Sequence, residues 1–449
     1  MRSIHSHVHI IGAGGVGMSG LALLLKRTGA TITASDQSDS PYLRKLAEKG
    51  ITTWVGSEPA RIDNGAHVYY STAIRPEDPE RLFAEKHGLR CEPRHALLAA
   101  ITREYFTIAV AGCHGKTTTS AWIATLLEAA GLDPTALIGG TVPAWNSNYR
   151  EGKGERDGRP ILVIEADESD RSFLSIASRV ALITNIDLDH TDVHESLTTL
   201  TADFEQFGAS ALNAGGWIHL SKECGDDLVA WSAEAERSLW QEITLKPDEQ
   251  KLFYGTWPFK VGLAGKHNLM NATLVLQLGV KLGIDSAVMA EVLQNFSGVN
   301  RRMQKLAEFP ELDLTVIDDY AHHPHEVAST LAALRPQYER LIVFWEPHRL
   351  SRFSHFHDEF EAVLRPYAQN GTVIALPVFP SGDKPADYPE VAGQYQKFTQ
   401  SPYRAIATIA DLDLVSLNLE SVKTAAVFMG AGRSSDYAKE FVEKIARFV

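Results

Sequence analysis

Phe106-Thr107-Ile108-Ala109-Val110-Ala111-Gly112-Cys113-His114-Gly115-Lys116-Thr117-Thr118-Thr119 decides how the chain is read. An apolar run, a turn with glycines and a Lys-Thr pair opening a helical pattern have the layout of a phosphate-binding loop. Glycines let backbone N–H groups approach an anion, and a helix N-terminus adds partial positive charge. Lys116 can then neutralise β/γ oxygens, and the Thr117 hydroxyl can hold Mg²⁺. The loop is a variant, because Ala111 stands where the general pattern has its first glycine.

Upstream, Val8-His9-Ile10-Ile11 reads as a strand leading into Gly12-Ala13-Gly14-Gly15-Val16-Gly17 and the apolar helical run Met18 to Leu25. With Asp36 about twenty residues further on, this spacing alone fits an NAD site. The same glycines admit any diphosphate to a helix N-terminus, however. A diphosphate crevice followed by an ATP loop suggests a nucleotide-linked substrate in front and ATP behind.

Glycine-bounded apolar runs alternate with helical patterns, the pattern of parallel α/β units. Three blocks are expected: 1–104, 105–297 and 298–449. The central sheet should include Ile161 to Ile164 and Val180 to Ile183, and the central helix should run from about Thr118 to Ala130. The third block should place strands at Leu314 to Ile317, Leu341 to Phe344, Thr372 to Ala375 and Ala425 to Met429. The polar, glycine-bearing stretch Arg150 to Pro160 reads as an exposed loop.

Glu165-Ala166-Asp167-Glu168-Ser169-Asp170 follows a strand directly, at the edge where α/β sheets bind ligands. Such crowded carboxylates repel one another unless a cation is near, which favours a metal over a solvated turn. Thr184-Asn185-Ile186-Asp187-Leu188-Asp189-His190 ends the next strand, and His190 could complete a second metal position. In the third block Asp318-Asp319-Tyr320-Ala321-His322-His323-Pro324 and Glu346-Pro347-His348-Arg349-Leu350-Ser351-Arg352 each follow a strand. Arg349 and Arg352 could grip a carboxylate bidentately while His and Tyr fix orientation.

Composition narrows the class. The 449 residues are 44% hydrophobic and 22% charged, the balance of a globular protein. A formal charge of -13 without a Lys/Arg cluster argues against nucleic acid. The widely spaced Cys91, Cys113 and Cys224 fit a reducing cytoplasm. No signal peptide or apolar run long enough to span a membrane is visible.

In their order along essentially the whole chain, these motifs resemble the muramyl ligase family. The match rests on Gly12 to Gly20, Ala111 to Thr119, Glu165 to Asp170, Gly265 to Asn271 and Asp318 to Pro324. GGVGMSG, EADESDRSFL, TNIDLDH and PHRLSR are most similar to the branch that joins UDP-N-acetylmuramate to L-alanine. The resemblance implies an N-terminal Rossmann-like domain for the UDP-sugar, a central P-loop ATPase domain and a C-terminal Rossmann-like domain that closes over the site. It implies phosphorylation of the substrate carboxylate by ATP, then attack by the amine on the acyl phosphate. Gly112, His114, Gly115, Lys116, Thr117, Thr118, Asn268, Asn271, Arg302 and Asp319 would contact ATP. Thr117, Glu165 and His190 would hold Mg²⁺ or Mn²⁺. Gly14, Gly15, Gly17, Ser35, Asp36 and Ser71 would line the UDP end, and Tyr320, His322, His348, Arg349 and Arg352 would receive the amino acid. Lys116, His190 and Arg349 would carry the catalysis, in a cytoplasmic monomer or homodimer.

Four positions depart from the family pattern. Cys113 stands for a usual threonine, Trp345-Glu346 for Phe-Gln, and Arg433 for an aspartate. Glu before Pro347 is similar to the sister ligase that attaches a whole murein tripeptide, which is the first rival reading. The others are an NAD-dependent dehydrogenase, which leaves the Lys116 loop unexplained, and a non-catalytic nucleotide sensor.

Overall fold

The structure, a computed structural model, describes residues 5–189, 193–221, 224, 243–368, 372–419 and 422–448. Its contacts separate two compact units: Met1–Asp187 with Glu195–Ile243 and Met270–Phe296, and Leu188–His194 with Thr244–Leu269 and Ser297–Val449. The architecture is α/β throughout.

Among the described residues the first unit carries two sheets. The N-terminal one is wholly parallel, in the order Thr52–Val55, Thr31–Asp36, His7–Ile11, His67–Tyr70, Cys91–Pro93. The second runs Trp217–Leu220, Val180–Ile183, Phe106–Ala111, Arg159–Glu165, Thr135–Val142, Ser147–Arg150. Phe106–Ala111 lies in its middle and every residue is buried, which is why it reads as a continuous apolar run rather than an alternating one. Register pairs Glu165 with Val110 and Ile183 with Ala111. The chain therefore leaves all three strands at one edge, bringing Gly112, Ala166 and Thr184 together there.

Helix Lys116–Ala129 starts at the end of the glycine turn and packs its Trp122 fully out of solvent. The indole stacks on Phe296 at 4.9 Å and donates from Nε1 to the Val292 carbonyl at 3.3 Å. The helix Ser286–Asn295 is thereby fixed to the helix that follows the glycine turn.

In the second unit the sheet runs Gln304–Phe309, Leu314–Asp319, Thr424–Met429, Arg340–Trp345, Val373–Ala375, Arg404–Ala405, parallel except for its first pair. Asp319 and Trp345 both register with Met429, so Tyr320, Glu346 and Gly430 follow their strands at a common edge. The helix Lys266–Leu282 begins in this unit and continues into the first.

Antiparallel strands complete the parallel sheets, with Ser147–Arg150 and Gln304–Phe309 at their edges, and Lys251–Tyr254 pairs antiparallel with Trp257–Lys260. One expectation needs correction: residues 150–160 are not one exposed loop, because Glu155–Arg156 pairs back on Arg159–Pro160. Gly152 is buried there, and a Cβ on Gly152 or Gly154 would collide with the backbone of residues 132–134. These glycines serve close approach of two backbones rather than flexibility. No helix among the described residues is long and apolar enough to cross a membrane.

Truncating Trp122 to Ala should cost about 3–5 kcal/mol, by lost burial and a cavity against Phe296. Denaturant unfolding of the variant checks this; a loss below about 1 kcal/mol would mean that the indole is not a packing anchor.

Candidate active site

The turn before helix Lys116–Ala129 has two positions that tolerate no side chain. Gly112 and Gly115 have φ of +128° and +81°, and a Cβ on Gly115 would lie 2.5 Å from Asn271 Oδ1. At Gly112 it would collide with the Thr184 hydroxyl. The loop is clamped by the end of the neighbouring strand. The backbone N–H of His114 donates to Asn185 Oδ1 at 2.9 Å, while Thr184 Oγ1 and Asn185 Nδ2 donate to the His114 carbonyl at 2.6 and 2.9 Å. The Cys113 thiol donates to the Asp187 carbonyl at 2.9 Å, and His114 Nε2 lies 3.1 Å from Asp187 Oδ2.

Lys116 Nζ donates to Glu168 Oε2 at 2.7 Å and to the Cys113 carbonyl at 3.2 Å. Burial opposes the ammonium charge, but Glu168, Asp167 and Glu165 outweigh it and raise the Lys116 pKa above the ordinary lysine value. Burial pushes Glu168 up to about 7 even against the stabilising pull of Lys116. For Asp167 burial acts upward too, yet Lys116, the Ser169 N–H and Arg94 together hold its carboxyl below the usual range.

Thr117 Oγ1 donates to Glu165 Oε1 at 3.0 Å, and the Gly139 N–H donates to Glu165 Oε2 at 2.7 Å. A hydroxyl and a carboxylate side by side at the loop are hard oxygen donors, the set that suits Mg²⁺. His190, expected beside them, lies outside the described residues.

At the first glycine loop, the N–H groups of Gly12 and Ala13 both donate to the Ser35 carbonyl at 2.9 Å. Gly14 N–H donates to Asp36 Oδ2 at 2.8 Å, and Ser38 N–H to Asp36 Oδ1 at 3.0 Å. A Cβ on Gly14 would sit 2.7 Å from the Asp36 carboxyl carbon. Gly15 caps the helix Val16–Lys26 without a side chain, Gly17 faces the Arg94 guanidinium, and the Ser71 Cβ lies close under Gly12. The Ser35 side chain points elsewhere. It is buried, with its hydroxyl donating to the Glu80 carboxylate, which also accepts from Trp54 Nε1 at 2.8 Å and Glu58 N–H at 2.9 Å. Sequence reading missed Glu80, a buried acid with nothing in its neighbourhood of sequence to announce it.

In the second unit Asp319 accepts from Met303 N–H at 2.9 Å and Ala321 N–H at 2.8 Å, and burial raises its pKa to about 6. The Arg302 guanidinium lies 5.0 Å over the Tyr320 ring and 3.7 Å from Glu326. Asn268 Nδ2 donates to the Ala264 carbonyl at 2.7 Å. His322 meets His348 edge to face at 5.6 Å, and His348 stacks on Phe379 at 5.5 Å. Burial lowers His322 to about 3 and His348 to about 4, the latter also repelled by Arg352 and Arg349. Both rings are therefore neutral at pH 7.

Arg349 occupies φ +64° and reaches Asp383 at 3.5 Å. Arg352 Nε and Nη2 donate to the two oxygens of Asp189, each at 3.1 Å. The guanidinium read as a receiver of a carboxylate thus already grips one, in the bidentate form expected of it. The sequence signalled the arginine but not the aspartate that occupies it.

Comparison with known proteins agrees with this layout. Residues 7–106 match the Mur ligase family catalytic domain, 110–279 the Mur ligase middle domain, and 301–432 the Mur ligase glutamate ligase domain. A UDP-N-acetylmuramate–L-alanine ligase of Persephonella marina is 34% identical over 85% of this chain and 83% of its own length. The protein of that name from Thiobacillus denitrificans is 32% identical over 99% of this chain and 100% of its own. The crystal structure of UDP-N-acetylmuramate-alanine ligase MurC from Thermotoga maritima superposes with a TM-score of 0.77 at 25% identity, covering 99% of this chain and 100% of that one. A murein peptide ligase from Psychrobacter arcticus shares the fold at a TM-score of 0.69 and 20% identity, over 98% of both chains. With its three domain types matched in order and relatives aligned over most of their length, the chain belongs to the Mur ligase family.

Proposed function

We propose that this chain is an ATP-dependent ligase that joins the lactyl carboxylate of UDP-N-acetylmuramate to L-alanine, forming ADP and phosphate, in cytoplasmic peptidoglycan synthesis. The observation that carries the reading is the Lys116 loop, held between carboxylates at a sheet edge. The names of the relatives that cover most of the chain supply the substrates.

A carboxylate is a poor electrophile, so it must first acquire a leaving group. Its oxygen attacks the γ-phosphorus of ATP, ADP departs, and an acyl phosphate results. The amine then attacks the acyl carbon, the amide bond forms and inorganic phosphate leaves. Lys116, with the backbone of Gly112, Gly115 and Thr118, stabilises charge on the transferring phosphoryl group, while His114, whose backbone is held by Thr184 and Asn185, fixes the loop around ATP. Thr117 and Glu165 would hold Mg²⁺, with His190, and the ion when bound screens the repulsion between phosphate oxygens and the attacking carboxylate.

We assign the UDP end to Gly14, Gly15, Gly17 and Ser71, with Asp36 fixing the loop from behind and Ser35 supplying its carbonyl. Asn268, Asn271, Arg302 and Asp319 are assigned to the nucleotide. Tyr320, His322, His348, Arg349 and Arg352 are assigned to the amino acid. A neutral imidazole in this group can accept a hydrogen bond from the incoming amine without setting a second positive charge beside it. The domain division assigned to these tasks is 1–104, 105–297 and 298–449.

Phosphate release from ATP with Mg²⁺ should depend on both UDP-N-acetylmuramate and L-alanine, and Lys116→Ala should lower it by about a hundredfold or more. Dependence on the murein tripeptide instead of L-alanine would move the chain to the peptide-attaching branch, and nicotinamide reduction without phosphate release would contradict the ligase reading altogether.

The neutral histidines make a second prediction, on stability. Their folded pKa values lie below the unfolded value near 6.5, so their contribution is complete above that pH and is lost as pH falls towards about 4 for His348 and about 3 for His322. Urea unfolding should show stability declining from about pH 6.5 down to about 3, and declining less in the His322→Gln, His348→Gln double variant. An identical decline in both proteins would show that these rings are not buried neutral.

A further inference from the structure

Glu346 follows the strand Arg340–Trp345 and is almost fully buried. Its two carboxylate oxygens accept from consecutive backbone N–H groups, Oε1 from Gly432 at 2.8 Å and Oε2 from Arg433 at 2.7 Å. These groups belong to the turn between the strand Thr424–Met429 and the helix Ser434–Phe448, where unpaired N–H groups and the helix dipole favour an anion. The turn is tied down from its other side by Arg301, whose Nη2 donates to the Gly430 carbonyl at 2.8 Å and to Ser434 Oγ at 3.1 Å.

The turn has no room to move towards the carboxylate. A Cβ on Gly430 would come within 2.7 Å of Glu346 Cβ, and one on Gly432 within 2.8 Å of both Glu346 Oε1 and Phe379 Cδ1. Gly432 therefore lies directly against the Phe379 ring. On that same ring His348 stacks with an interplanar angle of 6°. Phe379 is also joined to the backbone around His348, donating from its N–H to the Pro347 carbonyl and accepting from the Arg349 N–H, both at 2.8 Å. Glu346, Gly432, Phe379 and His348 form one continuous series of contacts, within a single unit of the chain.

We propose that Glu346 is a positioning residue for the amine: it anchors the Gly430–Arg433 turn, the turn backs Phe379, and Phe379 fixes the plane of His348 and the backbone of Arg349. The proposal rests on the assignment of His348 and Arg349 to the amino acid. Glu346 is bound by backbone groups of its own chain, so it acts through these neighbours and does not touch the amine. A neutral amide at this position supplies one acceptor where the turn presents two donors, leaving one N–H facing an NH₂ group. Removing the side chain orphans both donors and leaves a void behind Phe379.

Steady-state kinetics of the full chain, varying each substrate in turn, test this in Glu346→Gln, Glu346→Ala and Phe379→Leu. The KM for L-alanine should rise by about threefold in the first and about tenfold in the other two, with kcat and the KM values for ATP and UDP-N-acetylmuramate within about twofold of wild type. Phe379→Leu keeps the test open should Glu346→Ala fail to fold, because it interrupts the same series beyond the buried carboxylate. An unchanged KM for L-alanine in Glu346→Gln and Phe379→Leu overturns the proposal, and so does a parallel change in all three KM values and kcat, which is the pattern of general destabilisation. Wild-type turnover that does not depend on L-alanine is a separate failure, of the assignment beneath it, and is read before any variant is made.

Discussion

An ammonium largely withdrawn from water and surrounded by carboxylates sets the terms for this structure. Lys116 cannot remain charged away from water without compensation, and Glu168, at 2.7 Å, with Asp167 and Glu165 supplies it. The arrangement requires the loop after Phe106–Ala111 and the acidic run after Arg159–Glu165 to leave the sheet side by side, which the parallel register Val110 to Glu165 enforces. It also requires the loop to be narrow, hence the glycines at 112 and 115. The ammonium is thereby held against the loop backbone, donating to the Cys113 carbonyl at 3.2 Å.

Elsewhere the chain repeats the device of placing its own acid where an anion would bind. Asp36 accepts from Gly14 N–H, Glu346 from Gly432 and Arg433, and Asp189 from the Arg352 fork. Each acid satisfies donors that would otherwise be costly to bury, and each holds a loop in a fixed geometry. The excess of acidic residues is in this respect structural as well as solvating.

Much of this was legible in sequence because fully buried parallel strands are uninterrupted apolar runs and their functional loops begin where the run stops. Phe106–Ala111 with its lysine loop, and the strand ending at Glu165, are of this kind. Thr117 and Glu165 were grouped by the family resemblance, and the structure brings them within 3.0 Å of each other. Less visible were features set by backbone approach or by long-range pairing. Gly152 and Gly154 look like loop glycines, yet they let two chain segments touch. Ser35 and Asp36 are neighbours in a strand, so period-two alternation turns their side chains to opposite faces, Ser35 inward to Glu80 and Asp36 to the glycine loop. Nothing local to Asp189 or Arg352 announces their ion pair.

The central claim is that ATP is used here to activate a carboxylate, and transfer of oxygen tests it most directly. With the lactyl carboxylate of UDP-N-acetylmuramate labelled with ¹⁸O, turnover in the presence of L-alanine should place one labelled oxygen in each inorganic phosphate released, with ADP as the other product. Unlabelled phosphate, or AMP and pyrophosphate in place of ADP and phosphate, would contradict an acyl phosphate and with it the role given to the Lys116 loop.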